Sequence, residues 1–139
     1  MANQDVRTLV RDMYSAYEAR DFSRVGDLIH DDVDWIIYGP KEVFPFVGPR
    51  QGKAAVLAAL KDIATDYELN RYTPEITLVD GDRAAVMSDV SFTQKSSGRK
   101  LRFRLVNFLR FKDGRIVEFR EFANTFDLVA QALGRELQV

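Results

Sequence analysis

The sequence contains no cysteine and a single histidine, His30, and both scarcities exclude classes of chemistry. Without a thiol there is no disulfide, no cysteine nucleophile and no thiolate metal site. A single histidine cannot supply a cluster of imidazole ligands. His30 stands beside Asp31 and Asp32 where a short helix is predicted to end, so we interpret it as a solvated residue, with a catalytic role as the alternative.

The sequence also lacks a strong net charge and any long apolar run. The formal net charge is −1, so there is no broad basic field for nucleic acid or an anionic membrane surface. The basic residues Arg99, Lys100, Arg102, Arg104 and Arg110 alternate along a predicted strand and indicate one solvated or dimer-contacting face. No membrane-length apolar stretch and no signal-like apolar core are present, so a cytoplasmic location without nucleic-acid or membrane partners is expected.

What is present fits a globular domain. The 139 residues are 46% hydrophobic and 29% charged, which is ordinary for a chain that buries a real core, and we expect one domain over residues 1–139. The predicted order is helix, helix, strand, helix, four strands and a short closing helix. This order is typical of an α+β fold in which helices cover one face of a curved, mostly antiparallel sheet. A sheet wrapped around three helices leaves a cone whose interior is the natural ligand site.

Helical periodicity is clear in four segments. Asn3 and Asp5 precede an apolar stripe over Val6–Tyr17, which predicts a capped amphipathic helix ending near Arg20. Asp21 is placed to cap a second, short helix. The residues expected to face inward from these two helices are Val6, Leu9, Val10, Met13, Ala16, Tyr17, Phe22, Val25, Leu28 and Ile29.

The third and fourth predicted helices flank the main strands. The third runs from Ala54 to about Tyr67. Asn124 or Thr125 caps the last helix, and Gly134 suits its C-terminal end. The residues expected to face inward from the last helix are Phe126, Val129, Ala130 and Leu133.

Alternation predicts the first strand and a covering loop after it. Apolar and other residues alternate over Val33–Ile37, which indicates a strand with one apolar face. The segment Gly39–Gly52 holds three prolines and three glycines, and long loops inside compact domains are usually functional or disordered. Its large apolar residues argue against disorder, so we interpret it as a cover over a cavity mouth. In the alternative, Phe44 and Phe46 plug an edge of the core.

Two further strands are predicted before the central pair. Because of Pro74, the first is expected to be an edge strand whose regular part is Glu75–Val79. A turn at residues 80–82 leads into a strand over Arg83–Gln94. The more apolar face of this strand leaves Asp89 outside. The inward residues are then Val86, Ser88, Val90 and Phe92.

The central strand pair, residues 101–124, turns at residues 112–114 and carries the most informative pattern. Its first arm points Leu101, Phe103, Leu105, Leu109 and Phe111 to one side, where Asn107 is the only polar residue.

The register of the second arm depends on the turn. A three-residue loop with a bulge at Gly114 directs Val117, Phe119 and Ala123 to the same side. A two-residue loop would put Glu118 and Arg120 into the core, because a slip of one residue flips every side chain, and it is therefore rejected.

The chosen register also directs Glu121 inward, diagonally across from Asn107 at roughly 7–8 Å. A carboxyl group on an apolar wall is costly to ionise, so its pKa is expected to rise towards neutrality, where it can take and return a proton. The amide of Asn107 can donate to an oxygen that gains negative charge. Together they could support proton abstraction beside a carbonyl group, without a metal or other cofactor, and the expected partner is a small apolar or carbonyl-containing ligand. The residues expected to line this pocket are Met13, Tyr17, Trp35, Ile37, Phe46, Leu60, Ser88, Val90, Phe92, Leu105 and Phe119.

Structural roles for the two polar residues remain open from the sequence. Glu121 could be paired with Arg50, Arg71 or a tyrosine hydroxyl, since buried charges usually are paired. Asn107 could satisfy backbone groups at a bulge. Tyr38 could also reach the cavity if the first strand bends at Gly39.

Several short segments, in their order along nearly the whole chain, resemble the nuclear transport factor 2-like superfamily, and within it the SnoaL-like and ketosteroid-isomerase-like branch. The resemblance implies a cone-shaped, cystatin-like α+β fold, which hosts many functions. The segments that carry it are Ala19–Phe22, Ile29–Val33, Pro45–Gly48, Arg50–Lys53, Lys112–Ile116 and Phe119–Phe122.

The resemblance implies little of ketosteroid isomerase chemistry. Those enzymes use an aspartate base on the first strand, a tyrosine on the first helix and a protonated aspartate on the long strand. The matching positions are Ile37, Met13 and Asn107. The base is therefore missing, and only an amide donor remains.

Two other reactions of the superfamily are compared in the same way. The arginine and two aspartates of limonene-type epoxide hydrolases fall on Ser88, Val90 and Glu121, so that triad is broken. The acid/base aspartate of SnoaL-like polyketide cyclases follows an arginine, and Arg120 with Glu121 matches that pair. The cyclase's histidine falls on Asn107. An isomerase or cyclase of the SnoaL-like type is therefore the favoured hypothesis.

The outward face of the central pair suggests a partner. Aromatic residues ringed by arginines suit an interface, and members of this superfamily commonly dimerise through this face, so a homodimer is expected. The alternatives to an enzyme are a non-catalytic module that binds an apolar ligand and a protein-interaction module that uses this face. The residues on it are Arg102, Arg104, Val106, Phe108, Arg110, Glu118, Arg120 and Phe122.

Overall fold

The structure, a computed structural model, describes residues 5–139, so the predicted capping by Asn3 lies outside the described residues. Helices and strands follow one another in the predicted α+β order, with one additional short strand. None of the helices within residues 5–139 is long and apolar enough to cross a bilayer. The elements are α1 Val6–Glu18, α2 Phe22–Asp27, β1 Ile29–Ile37, β2 Gly48–Gln51, α3 Lys53–Asp66, β3 Tyr67–Asp80, β4 Arg83–Gln94, β5 Lys100–Lys112, β6 Arg115–Ala123 and α4 Thr125–Leu133.

The strands form one curved sheet in the order β2-β1-β6-β5-β4-β3. Neighbours pair antiparallel except β1 and β6, which are parallel. The mixed, mostly antiparallel sheet predicted from the sequence is therefore confirmed. Helices α1, α2 and α3 contact the sheet, and the core lies between them and its inner face. Side chains with no exposed surface include Val25, Ile29, Val33, Val56, Val86, Val90 and Ile116.

Polar residues begin three of the helices as the sequence predicts. The side chains of Asp5, Asp21 and Asn124 each accept a hydrogen bond from a backbone N–H two or three residues further along. Each such cap satisfies a backbone donor that has no partner inside the helix. Gly134 ends α4 in the left-handed conformation, with φ of 68°.

The predicted inner face of α4 is only partly correct, because Val129 packs against the core but two other predicted residues do not. Phe126 and Leu133 are 55% and 38% exposed, while Ala132 is only 3% exposed. The helix is oriented by Gln131, whose side-chain amide bonds both the backbone N–H and the backbone C=O of Arg102 at 2.8 and 2.9 Å. Arg99 Nη1 also donates to the backbone carbonyl of Ala132 at 3.3 Å, so tertiary contacts, and not the periodicity of this short helix, set which of its residues are buried.

His30 lies in a strand and not at a helix end. Strand β1 begins at Ile29, which pairs with Ile116 of β6, so the strand starts four residues earlier than the alternation suggested. The Nδ1 atom of His30 accepts a hydrogen bond from the backbone N–H of Asp32 at 3.0 Å. It is half-buried and has no contact with the pocket described below.

The segment Gly39–Gly52 contains the strand that the sequence did not predict. Residues 48–51 pair with β1 at the edge of the sheet, where proline and glycine are tolerated. The Arg50 guanidinium donates to backbone carbonyls of residues 46, 47 and 49. Phe44 is buried in the core, as the plug interpretation expects, and Phe46 lines the cavity.

Strand β3 is much longer than the predicted Glu75–Val79. It follows α3 directly, because Tyr67 already has extended backbone angles (φ −131°) instead of continuing the helix. Pro74 is accommodated by a register shift against β4, as expected for an edge strand. The extension brings Tyr72 into the sheet, with consequences for the site.

The turn between β5 and β6 is the two-residue loop that the sequence reasoning rejected. Asp113 and Gly114 both have positive φ, 55° and 74°, and Lys112 pairs with Arg115. These are the angles of a type I′ turn, in which aspartate followed by glycine is a favoured pair.

A β-bulge restores the predicted faces of β6 in spite of the tight turn. Arg110 pairs with Glu118 but Phe111 pairs with Ile116, so Val117 is an extra residue in β6. Ile116 and Val117 are both buried as a result. Because side chains alternate between the two faces of a strand, the extra residue moves every later residue of β6 to the opposite face, which is the face predicted from the sequence.

The outer sheet face is lined by ion pairs. Asp89 lies on it as predicted, yet is only 2% exposed, because Arg71 and Arg102 cover its carboxylate at 3.1 and 3.0 Å. These arginines are therefore neutralised locally and do not form a basic patch. Further pairs are Arg104 with Glu75, Arg110 with Glu118, and Arg120 with Asp34.

Candidate active site

Asn107 and Glu121 lie directly opposite each other on β5 and β6. The predicted diagonal placement is wrong, because the two-residue turn and the bulge at Val117 each move the pairing of the second strand by one position. Both side chains point to the inner face, and Asn107 Nδ2 donates to Glu121 Oε1 at 3.0 Å. An amide and a carboxyl group therefore form a bonded pair on an otherwise apolar wall.

Two tyrosine hydroxyls complete the surroundings of Asn107. Tyr14 from α1 and Tyr72 from β3 donate to Asn107 Oδ1 at 2.6 and 3.2 Å. Burial, followed by the charge of Glu121 or of neighbouring groups, raises the pKa of both phenols well above the ordinary value, so they remain protonated donors. Their donation fixes the amide with its oxygen towards the phenols and its nitrogen towards Glu121.

Glu121 is an isolated acid. Desolvation by burial raises its pKa to about 7, although the hydrogen bond from Asn107 acts in the opposite direction. Glu121 is part-buried, and it lines the cavity described below. The rise in pKa predicted from the sequence is confirmed.

The structural partners considered for Glu121 are engaged elsewhere. Arg71 pairs with Asp89, and Arg50 donates to backbone carbonyls. Within residues 5–139, Glu121 forms no ion pair, and its only side-chain hydrogen bond is the one from Asn107. Nothing in this part of the chain stabilises its negative charge by an opposite charge.

The acid and the amide face a small internal cavity of about 60 Å³. This volume holds a few water molecules and is well below the roughly 300–1,000 Å³ of an ordinary ligand site, so a ligand enters only if lining side chains move. The predicted pocket residues that line it are Met13, Tyr17, Trp35, Ile37, Phe46, Leu60 and Phe119, together with Asn107 and Glu121.

A larger groove of about 450 Å³ lies between α1 and β3, and two tyrosine side chains separate it from the cavity. Tyr14 and Tyr72 line both the groove and the cavity, and their ring centroids are 5.5 Å apart. Displacement of this pair would connect the cavity to a space of the size that small ligands require.

Four predicted pocket residues do not line the cavity. Ser88, Val90, Phe92 and Leu105 are on the predicted inner face, but at most 8% of each is exposed and they lie in the packed core. Alternation identifies the face of a strand but not the distance along it, and these residues lie beyond the stretch that faces the cavity.

Four lining residues were missed: Tyr14, Ile63, Tyr72 and Leu109. Tyr14 follows Val10 by four residues on the same helical stripe, so its inward position was detectable. The resemblance aligned Met13 with the tyrosine that the superfamily carries on its first helix. In this structure the hydroxyl that bonds Asn107 belongs to the next residue, Tyr14. Tyr72 was missed because the predicted strand began only after Pro74, whereas β3 begins at Tyr67.

Two other candidates have no part in the cavity. Tyr38 is 44% exposed and stacks on Phe122 of the outer face at 4.7 Å between centroids. Arg120 lies on the outer face, where it pairs with Asp34 at 3.0 Å. Within residues 5–139 no three histidine, cysteine or acidic side chains are grouped in a way that could hold a metal ion.

Comparisons with known proteins agree with this architecture. Residues 10–119 match the SnoaL-like domain family. A candidate isomerase from Rhodopseudomonas palustris is 38% identical over 97% of this chain and 100% of its own, with a TM-score of 0.84. An NTF2-like protein from Burkholderia pseudomallei is 26% identical over 95% and 98%, also with a TM-score of 0.84.

A more distant structure shares the fold alone. It is a protein with a ketosteroid isomerase-like fold from Catenulispora acidiphila in complex with trimethylamine, 13% identical over 91% of this chain and 92% of its own, with a TM-score of 0.76. No curated protein matches the chain significantly.

Proposed function

This chain belongs to the SnoaL-like domain family, and from that premise we propose that it is a small-molecule enzyme of the isomerase or cyclase type. Glu121 is the proposed proton shuttle for a carbonyl compound held in the apolar cavity. The observation that carries the proposal is a single unpaired acid with a pKa of about 7 on the wall of that cavity. An acid with this pKa can take and return a proton at neutral pH.

The proposed step is proton transfer at a carbon beside a carbonyl group. The ionised Glu121 takes the proton, the C–H bond breaks, and its electron pair moves towards the carbonyl oxygen to form an enolate. In a conjugated enolate, return of the proton to another carbon gives an isomer. Attack of the enolate carbon on a second carbonyl instead closes a ring, and Glu121 returns its proton to the alkoxide oxygen that forms. The apolar walls hold the substrate and exclude bulk water, which strengthens electrostatic interactions inside the site.

Asn107 receives a role different from the one expected from its sequence position. Its oxygen accepts hydrogen bonds from two phenols and its nitrogen donates to Glu121. The amide is therefore already engaged, and it orients the acid instead of binding a ligand oxygen. The hydrogen bond lowers the pKa of Glu121 against the larger effect of burial. We therefore assign Asn107 to holding the carboxylate and tuning its ionisation.

The position of the acid explains how the fold can retain proton chemistry without the ketosteroid isomerase base. The residue that matches that base, Ile37, is paired in parallel with Glu121 on the neighbouring strand. The carboxyl group thus enters the same part of the cone from β6 instead of β1.

The test is exchange of the α-protons of a small ketone, cyclopentanone, in D₂O followed by NMR. We expect enzyme-dependent exchange that falls at least roughly a hundredfold in Glu121→Gln, as the loss of a general base implies. Glu118→Gln is the matched control, because it removes the same charge from the outer face of the same strand. Equal exchange by the wild type and Glu121→Gln, or no exchange by the wild type, would overturn the proposal in favour of a non-catalytic binding module.

We also propose that the protein is a homodimer through its outer sheet face. Tyr38, Phe108 and Phe122 form an aromatic patch there, and they are 44%, 51% and 46% exposed. The ring centroid of Phe122 lies 4.7 Å from that of Tyr38 and 5.9 Å from that of Phe108. A contiguous aromatic patch bordered by ion-paired arginines matches the composition of interfaces.

A further inference from the structure

The groove between α1 and β3 is separate from the cavity that Glu121 lines, and the function proposed above makes no use of it. Its volume is about 450 Å³, which falls within the roughly 300–1,000 Å³ of ordinary small-molecule sites. The cavity beside Glu121 measures only about 60 Å³. The groove therefore accepts a small ligand without any movement of its walls.

One face of α1 forms the first wall of this groove, and β3 forms the second. The residues of α1 recur at three- and four-residue steps, as one helical face requires. Arg7 Nη1 donates to the backbone carbonyl of Thr77 at 3.4 Å and so joins the two walls. The residues that line the groove from α1 are Arg7, Val10, Arg11, Tyr14, Ser15 and Glu18.

The middle of the groove is apolar although two tyrosines line it. The hydroxyls of Tyr14 and Tyr72 donate to Asn107 at 2.6 and 3.2 Å, so they are engaged in the interior. A ligand in the groove meets the carbon atoms of the two rings, whose centroids are 5.5 Å apart. Val10 and Pro74 add further apolar surface. Such walls favour an apolar, planar body that packs against aromatic rings.

The charges along the groove are unevenly distributed. Arg7 and Arg11 are exposed and lie one helical turn apart, whereas Glu18 follows Arg11 by seven residues. At the rise of an α-helix, this spacing separates Glu18 from Arg11 by about 10 Å along the axis. One half of the groove therefore attracts an anion, and the other half repels it.

The two arginines keep donors available for a ligand. Within residues 5–139 neither of them forms an ion pair, and the bond from Arg7 to Thr77 uses one of five N–H groups. Arg102 and Arg104 on the outer sheet face, by contrast, are each paired with a carboxylate of the chain. A guanidinium binds a carboxylate through two parallel hydrogen bonds, which makes a carboxylate the matching group for Arg7 and Arg11.

We propose that the α1–β3 groove binds a small carboxylate with an apolar, planar body. The body packs against Tyr14 and Tyr72, and the carboxylate is bound by Arg7 and Arg11, away from Glu18. This inference goes beyond the proposed function, because it assigns a second site that does not use Glu121. Its test requires no turnover, so it stands or falls independently of the enzymatic activity.

The first experiment compares cinnamate with cinnamamide, which has the same planar body without the charge, and with acetate, which has the charge without the body. Binding is followed by NMR on protein whose tyrosines are labelled with ¹³C at Cζ. We expect cinnamate to bind at least roughly tenfold more tightly than either analogue, because only cinnamate meets both the rings and the arginines.

The labelled tyrosines also report where cinnamate binds. We expect the signals of Tyr14 and Tyr72 to shift most, while that of Tyr38, on the outer sheet face, stays in place. Tyr17 lines the cavity but not the groove, so a larger shift of Tyr17 would place the ligand in the cavity and overturn the proposal. Equal affinity for cinnamate and cinnamamide, or no binding of cinnamate at about 10 mM, would also overturn it.

The second experiment tests the arginines by substitution. Arg11→Gln keeps a good helix former at an exposed position, so the fold is preserved. We expect it to weaken cinnamate binding roughly tenfold and to leave cinnamamide binding unchanged, and Arg7→Gln added to it is expected to abolish the preference for cinnamate.

Arg115→Gln is the matched control for these variants. It removes the same charge from an exposed residue of β6 that does not line the groove. We expect it to keep the affinity of the wild type for cinnamate. Equal weakening in Arg11→Gln and Arg115→Gln, or an unchanged preference for cinnamate in the double variant, would contradict a carboxylate site in the groove.

Discussion

At the scale of single residues, the chemistry of this protein depends on where Glu121 is and on what is not beside it. Its pKa of about 7 results first from burial, and no cation is paired with it within residues 5–139. By contrast, hydrogen bonds from arginines lower the pKa of Glu75 and Asp89 on the other face of the sheet. The same type of side chain is therefore neutralised by a partner on one face and by protonation on the other.

Protonation of Glu121 makes stability depend on pH. The pKa is about 7 in the folded protein against an ordinary value of 4.5, so the folded state holds this proton more tightly. Its contribution to the free energy of unfolding is fully present below about pH 4.5 and is lost as the pH rises through 7, amounting to about 3 kcal/mol.

We expect Glu121→Gln to be stabilised relative to the wild type by about this amount at pH 8 and not at pH 4.5. Urea unfolding of both proteins at the two pH values measures the difference. A difference in unfolding free energy that does not change with pH would contradict the buried, protonated acid.

Asn107 tunes the same acid. In Asn107→Asp, the two phenols keep an acceptor, but Glu121 loses an N–H donor and gains an acidic neighbour. Both changes favour the protonated form, so we expect the midpoint of Glu121 to rise above 7. Titration of the ¹³C-labelled carboxyl groups by NMR measures it. Asn70→Asp on the exposed surface serves as the control, and an unmoved midpoint in Asn107→Asp would show that the amide does not act on the acid.

At the scale of elements, the β5–β6 hairpin decides which side chains enter the cavity. A two-residue turn alone would direct Glu118 and Arg120 inward, and the bulge at Val117 corrects this before the strand reaches Glu121. The turn and the bulge act as one unit, because either alone would reverse the faces of β6.

Deletion of Val117 is expected to destabilise the protein by roughly 3 kcal/mol or more, because it directs charged side chains into the core or breaks the strand pairing. Gly114→Ala leaves the bulge in place and is expected to cost only about 1 kcal/mol, since a side chain meets no neighbour there but φ is positive. Denaturant midpoints compare the two. Similar losses would mean that the bulge does not set the register.

At the scale of the whole molecule, the sheet separates two surfaces of different character. The inner face encloses the acid and a cavity of about 60 Å³, whereas the outer face carries ion pairs around the aromatic patch of Tyr38, Phe108 and Phe122. Exposed ion pairs of this kind contribute little to stability.

The proposed dimer predicts that Phe108→Asp converts the protein to monomers, because a carboxylate would be buried without a partner at the centre of the interface. Size-exclusion chromatography with light scattering measures the mass. Leu78→Asp is the matched control, since Leu78 is 63% exposed on β3 and lies outside the patch. A wild type that is monomeric at tens of micromolar, or an unchanged dimer in Phe108→Asp, would contradict the interface.

Local pattern alone determined most of the elements and the inward position of the acid. Helical spacing located α1, polar residues located the N-terminal ends of α1, α2 and α4, and alternation placed Asn107 on the inner face of β5. The predicted direction of Glu121 was correct although the turn was wrong, because the pattern of β6 allows only one face to be buried. These features depend on neighbours in the chain, so they can be read from it.

Tertiary structure decided which atoms meet. Tyr14 and Asn107 are 93 residues apart and form a hydrogen bond of 2.6 Å, which no local period predicts. The orientation of α4, the burial of Asp89 and the pairing of β2 also follow from contacts between distant segments. Periodicity identifies the apolar face of an element, whereas the positions of hydroxyl, amide and carboxyl groups within that face are set by strand register and by the packing of helices on the sheet.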